Sequence, residues 1–321
     1  MTIHDVARAA GVSRQTVTRA VNRMPGISAG TRERVLEQAR RLGYRPSRYG
    51  RDLVRRSSRT LGLLVGDLAN PYYPELASAV LKRAARAGWH VVLAEHGGGP
   101  PGALEAFAAR VDAAIAFTGS SFPEDVTGAA PLPLVEIDPQ EVRGGRGRVE
   151  LDMRAAVADA VEHLLERGAA RPVLLDLGRS PSRRGRLFLD AFAARGVPLA
   201  RQGVAAADLA GGEEGCRAAL EGSRRPDAVV AFNDVTALGA LRALRRAGAD
   251  VPGEVRVVGV DGLGIGAYVA PRLTTIALDV DAAAREALDL VLALHASPPE
   301  PGAPGALRRT VAHRLVVGES T

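Results

Sequence analysis

The sequence predicts an all-α head followed by a larger α/β body of two parallel-sheet subdomains, and three observations carry that prediction. Apolar positions in the first sixty residues recur at helical spacing around tight turns. From residue 61 onward short apolar runs alternate with helical segments, the βαβ rhythm of a parallel sheet covered on both faces. Charge divides at the same place. Residues 1–60 hold 14 arginines against four acids (Asp5, Glu33, Glu37 and Asp52), a local charge of +10 in a chain of 321 residues whose total is +6. A basic head on a mildly acidic body points to a polyanion as the head's partner, with a merely solvated basic surface as the alternative.

In chain order, "IHDVARAA" sets Ile3, Val6, Ala7 and Ala10 on one helical stripe. Gly11 and Val12 make a tight turn, and Ser13 is placed to cap the next helix by accepting from the amide of Thr16. In "RQTVTRAVN" the inward positions are Val17, Ala20 and Val21, which leaves Arg14, Gln15, Thr18, Arg19 and Asn22 outside. After Ser28, "AGTRERVLEQARRLG" turns Val35, Leu36, Ala39 and Leu42 inward and closes at Gly43. Three short helices with so tight a first turn match a helix-turn-helix. "YRPSRYGRDLVRRSSRT", residues 44–60, is an arginine-rich segment that reads either as a polar linker or as a helix ordered by DNA.

The runs "LGLLVGD", "WHVVLAEH", "AAIAFTGS", "PLVEID", "PVLLDLG", "DAVVAFND", "VRVVGVDG" and "LTTIAL" read as buried strands. Helices such as "PELASAVLKRAARAG", "RAAVADAVEHLLERG" and "VTALGALRALRRAG" lie between them. Eight or nine strands over about 260 residues suggest two sheets rather than one.

Other function classes find little support. The single cysteine, Cys216, allows no internal disulfide framework and no thiolate metal site. The six histidines form no H-x-x-x-H pair, so no metal and no cofactor is expected. Glycines at 262, 264 and 266 are spaced G-x-G-x-G, not as a dinucleotide loop, and neither a P-loop nor a G-x-S-x-G occurs, so no catalytic residue is assigned. No apolar run approaches a membrane span and the first residues lack the pattern of a secretory signal, so a cytoplasmic location is expected.

With these segments in view, the chain resembles the lactose-repressor (LacI/GalR) family of bacterial transcription regulators. "TIHDVARAAGVSRQTVTRAVN" resembles that family's helix-turn-helix signature, and "TRERVLEQARRLGYRP" its third helix and hinge entry. "LGLLVGDLANPYYPEL", "PDAVVAFNDVTALGALRALRRAGADVPGEVRVVGVDG", "APRLTTI" and "RLVVGEST" are similar to parts of its effector domain. The resemblance implies a periplasmic-binding-protein-like core. Its expected parts are a DNA-binding domain at 1–43, a hinge at 44–60, one subdomain of 61–149 with 278–304, and a second of 150–277 with 305–321.

The resemblance also implies roles. The second helix of the head lies in the major groove, where Arg14 would fork to guanine and Gln15 to adenine, each pair giving roughly 1–3 kcal/mol of discrimination. Arg19 would touch base or phosphate, Thr18 and Asn22 would hold phosphates, and His4, Ser13 and Thr16 complete the DNA-contacting set. Leu53 aligns with the hinge leucine that wedges into the minor groove, although Asp52 and Gly50 beside it are unfavourable for a hinge helix on DNA. Asp67, Asn70, Tyr72, Tyr73, Asp152, Arg184, Asn233 and Asp261 would line a cleft for a small polar effector, commonly a sugar.

Three positions depart from the family pattern: Leu209 where an aromatic is usual, Gly262 where a second aspartate follows Asp261, and "RGRLF" without a glycine before Phe188. They imply a cleft with fewer stacking faces. The expected mechanism is a homodimer on a pseudo-palindromic operator in double-stranded DNA, with repression as the default output and the effector shifting the hinge. A dimer is expected because no leucine heptads follow "RLVVGEST". A solute-binding protein of the periplasmic type, without a regulatory role, is the alternative.

Overall fold

A computed structural model describes residues 3–21, 26–42, 59–96, 103–117, 132–139, 146–297 and 307–321. The chain divides into two compact units, Met1–Arg59 and Thr60–Thr321.

The smaller unit contains α1 (Ile3–Ala10), α2 (Arg14–Val21) and α3 (Ala29–Arg41). Helix α1 ends because Gly11 adopts φ +64°, which a side-chain-bearing residue rarely takes. Gly11 N then donates to Arg8 O at 3.3 Å and Val12 N to Ala7 O at 3.0 Å, the paired bonds of a Schellman stop. Two residues later Ser13 Oγ accepts from Thr16 N at 3.1 Å and starts α2. Ser28 repeats the device on α3, accepting from Thr31 N at 3.2 Å. Val6, Val17, Ala20 and Val35 are fully buried between the helices, with Ala7, Ala10 and Ala39 around them. Each buried valine contributes about 1.5–3 kcal/mol, most of the core that so small a unit has. Leu36 is only half-buried and lies outside that cluster, against the sequence expectation.

In the larger unit the parallel strands lie in two groups. The first holds β1 (Arg59–Val65), β2 (Trp89–Glu95), β3 (Ala113–Phe117), β4 (Leu134–Ile137) and β5 (Gly147–Asp152). The second holds β6 (Pro172–Leu177), β7 (Ala200–Val204), β8 (Ala228–Ala231), β9 (Arg256–Asp261) and β10 (Thr274–Leu278). Strand β11 (Arg308–Val316) belongs to both. Its residues 308–312 pair parallel with β5, and 313–316 pair antiparallel with β10. The strand order among the described residues is therefore β2-β1-β3-β4-β5-β11-β10-β9-β8-β6-β7. The eight apolar runs are all strands. Strands β5, β7 and β11 are missed or only partly read in the sequence because charged and polar residues interrupt their apolar positions.

Helices cover both faces, as buried parallel strands require. In the first lobe α4 (Tyr72–Arg86) and a long helix, Val280–Ala296, pack one face, and α5 (Ala103–Ala108) the other. In the second, α6 (Arg154–Glu166) and α7 (Arg183–Ala193) cover one face, and α8 (Leu209–Glu221) and α9 (Asp234–Arg246) the other. Val280–Ala296, α10 below, follows β10 in sequence yet packs in the first lobe. Residues 147–149 of β5 pair with β4, and residues 148–152 pair with 308–312 of β11.

Candidate functional site

On the head, Ser13, Arg14 and Gln15 are exposed at the start of α2, Thr18 and Arg19 are half-buried along it, and His4 is exposed on α1. The amino end of α2 thus places an arginine and a carboxamide at the positive end of the helix dipole. Ser13 and Thr16 share a hydroxyl–hydroxyl bond of 2.9 Å, so one hydrogen of that pair stays available. Thr18 is committed inward: its hydroxyl donates to Arg14 O at 3.1 Å, and a phosphate contact would have to displace that bond. Asn22 and Leu53 lie outside the described residues.

In the body, parallel strands deliver polar residues just past their carboxyl ends. Tyr72 and Tyr73 open α4, Asp138 follows β4, Asp152 ends β5, and Asp261 ends β9. Arg184, in the first turn of α7, donates from Nη1 to Asp261 Oδ1 at 2.9 Å and to Phe232 O at 3.3 Å. Its guanidinium stands 5.3 Å from the centre of the Phe232 ring, within cation–π range. Tyr72 and Tyr73 pack against Phe117 with centroids 5.4 and 5.2 Å away. Tyr72 is buried, yet its hydroxyl has no hydrogen-bond partner among the described residues.

Burial first, and Asp261 second, push the Tyr72 hydroxyl well above the usual tyrosine range, so it stays protonated. Burial likewise lifts the Asp261 carboxyl, with Arg184 opposing. Asp261 also holds φ +114°, a strained backbone for a residue with a side chain. Next to this group a cavity of about 270 Å³ is lined by Asp138, Asp152, Arg183, Arg184 and His313, among others. Arg183 crosses the cleft to Asp138 at 2.9 Å, and Asp152 is held below the usual carboxylate range by its hydrogen bonds from Arg154. Among the described residues no cluster of His, Cys, Asp or Glu could hold a metal ion, and no helix is long and apolar enough to cross a membrane.

The comparisons with known proteins run along the whole chain. Residues 2–47 match the description "Bacterial regulatory proteins, lacI family", and residues 161–321 a "Periplasmic binding protein-like domain". The HTH-type transcriptional regulator GalR of Escherichia coli is 32% identical over 314 residues, 94% of this chain and 91% of its own. The chain belongs to the lacI family. Among solved structures, a LacI family regulator from Arthrobacter sp. FB24 in complex with lactose is 33% identical with TM-score 0.74, covering 82% of this chain and 99% of its own. The lac repressor dimer bound to operator and the anti-inducer ONPF is 26% identical with TM-score 0.76, covering 100% of this chain and 99% of its own. This lacI-family protein is thus a DNA-binding transcriptional regulator with a mostly parallel α/β core. A match of the regulatory head displaces the reading of a solute binder without a regulatory role.

Several of the expected site residues of this lacI-family chain also have local structural roles. Asn233 is a helix cap: its Oδ1 accepts from Thr236 N at 2.8 Å, and its Nδ2 donates to Ala207 O at 3.1 Å. Asn70 Oδ1 accepts from Tyr72 N at 3.1 Å and Asp67 Oδ1 from Ala69 N at 2.8 Å, so each turns one oxygen to its own loop. Leu209 starts α8 and is more than half exposed, whereas the rings found near Tyr72 and Arg184 are Phe117 and Phe232. Both end an apolar strand run, the one signal that would have marked them.

Gly262 has φ +75° and a Cβ there would overlap Ala277, so no second aspartate fits. Leu187 precedes Phe188, and the nearby Gly185 sits where a Cβ would overlap Asp176 Oδ2.

Proposed function

We propose that this regulator is a cytoplasmic repressor whose homodimer reads a pseudo-palindromic operator, and that a sugar bound in the cleft controls it. The head, residues 1–43, would place Arg14 and Gln15 on base edges, with Arg19, Ser13, Thr16 and His4 on bases or backbone, and residues 44–60 would act as the hinge. The sugar reading rests above all on one observation: a buried tyrosine hydroxyl without a partner beside the Arg184–Asp261 pair.

A polyol supplies what that arrangement lacks. One hydroxyl can accept from Tyr72 or from the remaining Arg184 donors while a neighbour donates to Asp261, and the aromatic rings take the apolar face. Support comes from the lactose held by the Arthrobacter relative and the ribose held by a regulator from Enterococcus faecium. For the dimer it comes from the operator-bound lac repressor dimer and from exposed Leu81, Val92 and Leu93 on α4 and β2. The test is a thermal-shift screen of sugars, polyols and nucleobases on the wild type and Arg184→Ala. A sugar that raises the melting temperature of the wild type alone supports the reading; stabilisation by nucleobases only would replace the ligand class.

A further inference from the structure

Arg184 reaches the cleft from a segment that is itself held by an ion pair outside the cleft. Asp176, at the end of β6, is fully buried, and its carboxylate accepts from Leu177 N at 3.0 Å, Ser182 N at 2.9 Å and Arg201 Nε at 3.0 Å. Arg201 comes from β7, the neighbouring edge strand. Its Nη1 donates to Arg179 O at 2.9 Å, and its Nη2 to Gly178 O at 2.6 Å and Ser180 O at 2.8 Å. One guanidinium thus ties down the carbonyls of the 177–182 segment, while Asp176 fixes the segment's last amide. The next residues are the start of α7, where Ser182 Oγ accepts from Gly185 N at 2.9 Å and Gly185 lies flat on the Asp176 carboxylate. Neither Asp176 nor Arg201 lines the cleft cavity.

The geometry points to Arg201 and Asp176 as positioning residues for ligand recognition: they set where α7 begins and so hold Arg184 against Asp261. A recognition group performs only when the shell behind it fixes its place to within about 0.5 Å. A lysine at 201 keeps the charge but has one compact head and cannot span three carbonyls and a carboxylate together. This inference rests on the cleft being the ligand site.

The test uses the full chain as wild type, Arg201→Lys, Arg201→Met and Arg184→Ala. The titration of Asp261 is followed by carboxyl carbon NMR with Asp261→Asn for assignment, and lactose and ribose binding by calorimetry. When Arg184 is displaced, the Asp261 midpoint moves up by about one unit, because an adjacent cation had been favouring the carboxylate. Both Arg201 variants are expected to show that shift and at least a tenfold loss of affinity for whichever sugar the wild type binds. Arg201→Lys keeps most of the wild-type melting temperature, and affinity for operator DNA without sugar stays within twofold.

An Asp261 midpoint unchanged in either Arg201 variant overturns the positioning role whatever the sugars do. A shifted midpoint with unchanged sugar affinity overturns its link to recognition. If the wild type binds neither sugar, those two fail as its ligands, while the Asp261 midpoint still judges Arg201.

Discussion

Replacing Tyr72 by phenylalanine should stabilise the empty protein and weaken its ligand, a pair of effects that a packing defect cannot produce together. The ring contacts with Phe117 and Tyr73 survive the change, since only the hydroxyl is removed. That hydroxyl is buried with no partner among the described residues. Leaving a buried polar group unpaired costs about 1–3 kcal/mol. Taking the low end, about 1 kcal/mol corresponds, for a unit of this size, to a rise of about 2–4 °C in melting temperature. A ligand that pairs the hydroxyl regains about 0.5–1.5 kcal/mol in the wild type only, so Tyr72→Phe should bind it about two- to tenfold more weakly. Scanning fluorimetry without ligand and calorimetry with it measure the two halves. A lower melting temperature in the empty variant would refute the cost assigned to the hydroxyl. A higher one with unchanged affinity would refute its direction toward ligand.

The remaining predictions concern the head, the buried carboxylate and the glycine after Asp261. Ser13→Ala removes the α2 cap and should cost the head about 1 kcal/mol, read as an earlier circular-dichroism melt of the helical signal. Arg14→Ala should change which base is preferred at one operator position in a selection from random duplexes, rather than weaken all sites alike.

Asp234 is fully buried, and its carboxyl is pushed up to about 7, chiefly by desolvation. A folded-state value above the unfolded one means its stabilising contribution is complete below about pH 4 and lost as pH rises through about 7. Urea unfolding should therefore lose more stability between pH 5 and 8 in the wild type than in Asp234→Asn, and parallel curves would contradict this. His163 and His313, held low by burial, act in the opposite sense below about pH 6.5 and are common to both proteins. Gly262→Asp should destabilise by more than about 1 kcal/mol, measured by the same unfolding curves, because of its φ and the overlap with Ala277.

What the sequence made legible was whatever depends on local pattern. Alternating apolar runs gave eight strands in place, and Ser13 announced its cap because the hydroxyl acts three residues away. Strand ends made the positions of Asp152 and Asp261 legible, while Tyr72, Tyr73 and Arg184 were named through the family resemblance alone. The cap role of Asn233 was not legible, since an asparagine before a helix looks the same whether it caps or binds. The need for glycine at 185 and 262 had no visible reason in one dimension. Their partners, Asp176 and Ala277, are 9 and 15 residues away in sequence and meet them only after the sheet has formed. Arg201 gave no signal at all: a polar residue on a short edge strand reads as solvent-facing until the segment it binds folds over it.

Operator affinity as a function of ligand tests the central claim most directly. Duplexes selected from the organism's own genome by the purified chain would be titrated by fluorescence anisotropy, with and without the sugar that stabilises it, for the wild type and Arg184→Ala. A steep weakening with salt is expected for both, together with a five- to 150-fold change in wild-type affinity on adding sugar that Arg184→Ala lacks. Sugar that binds the wild type yet leaves its operator affinity unchanged would contradict the coupling of cleft to DNA.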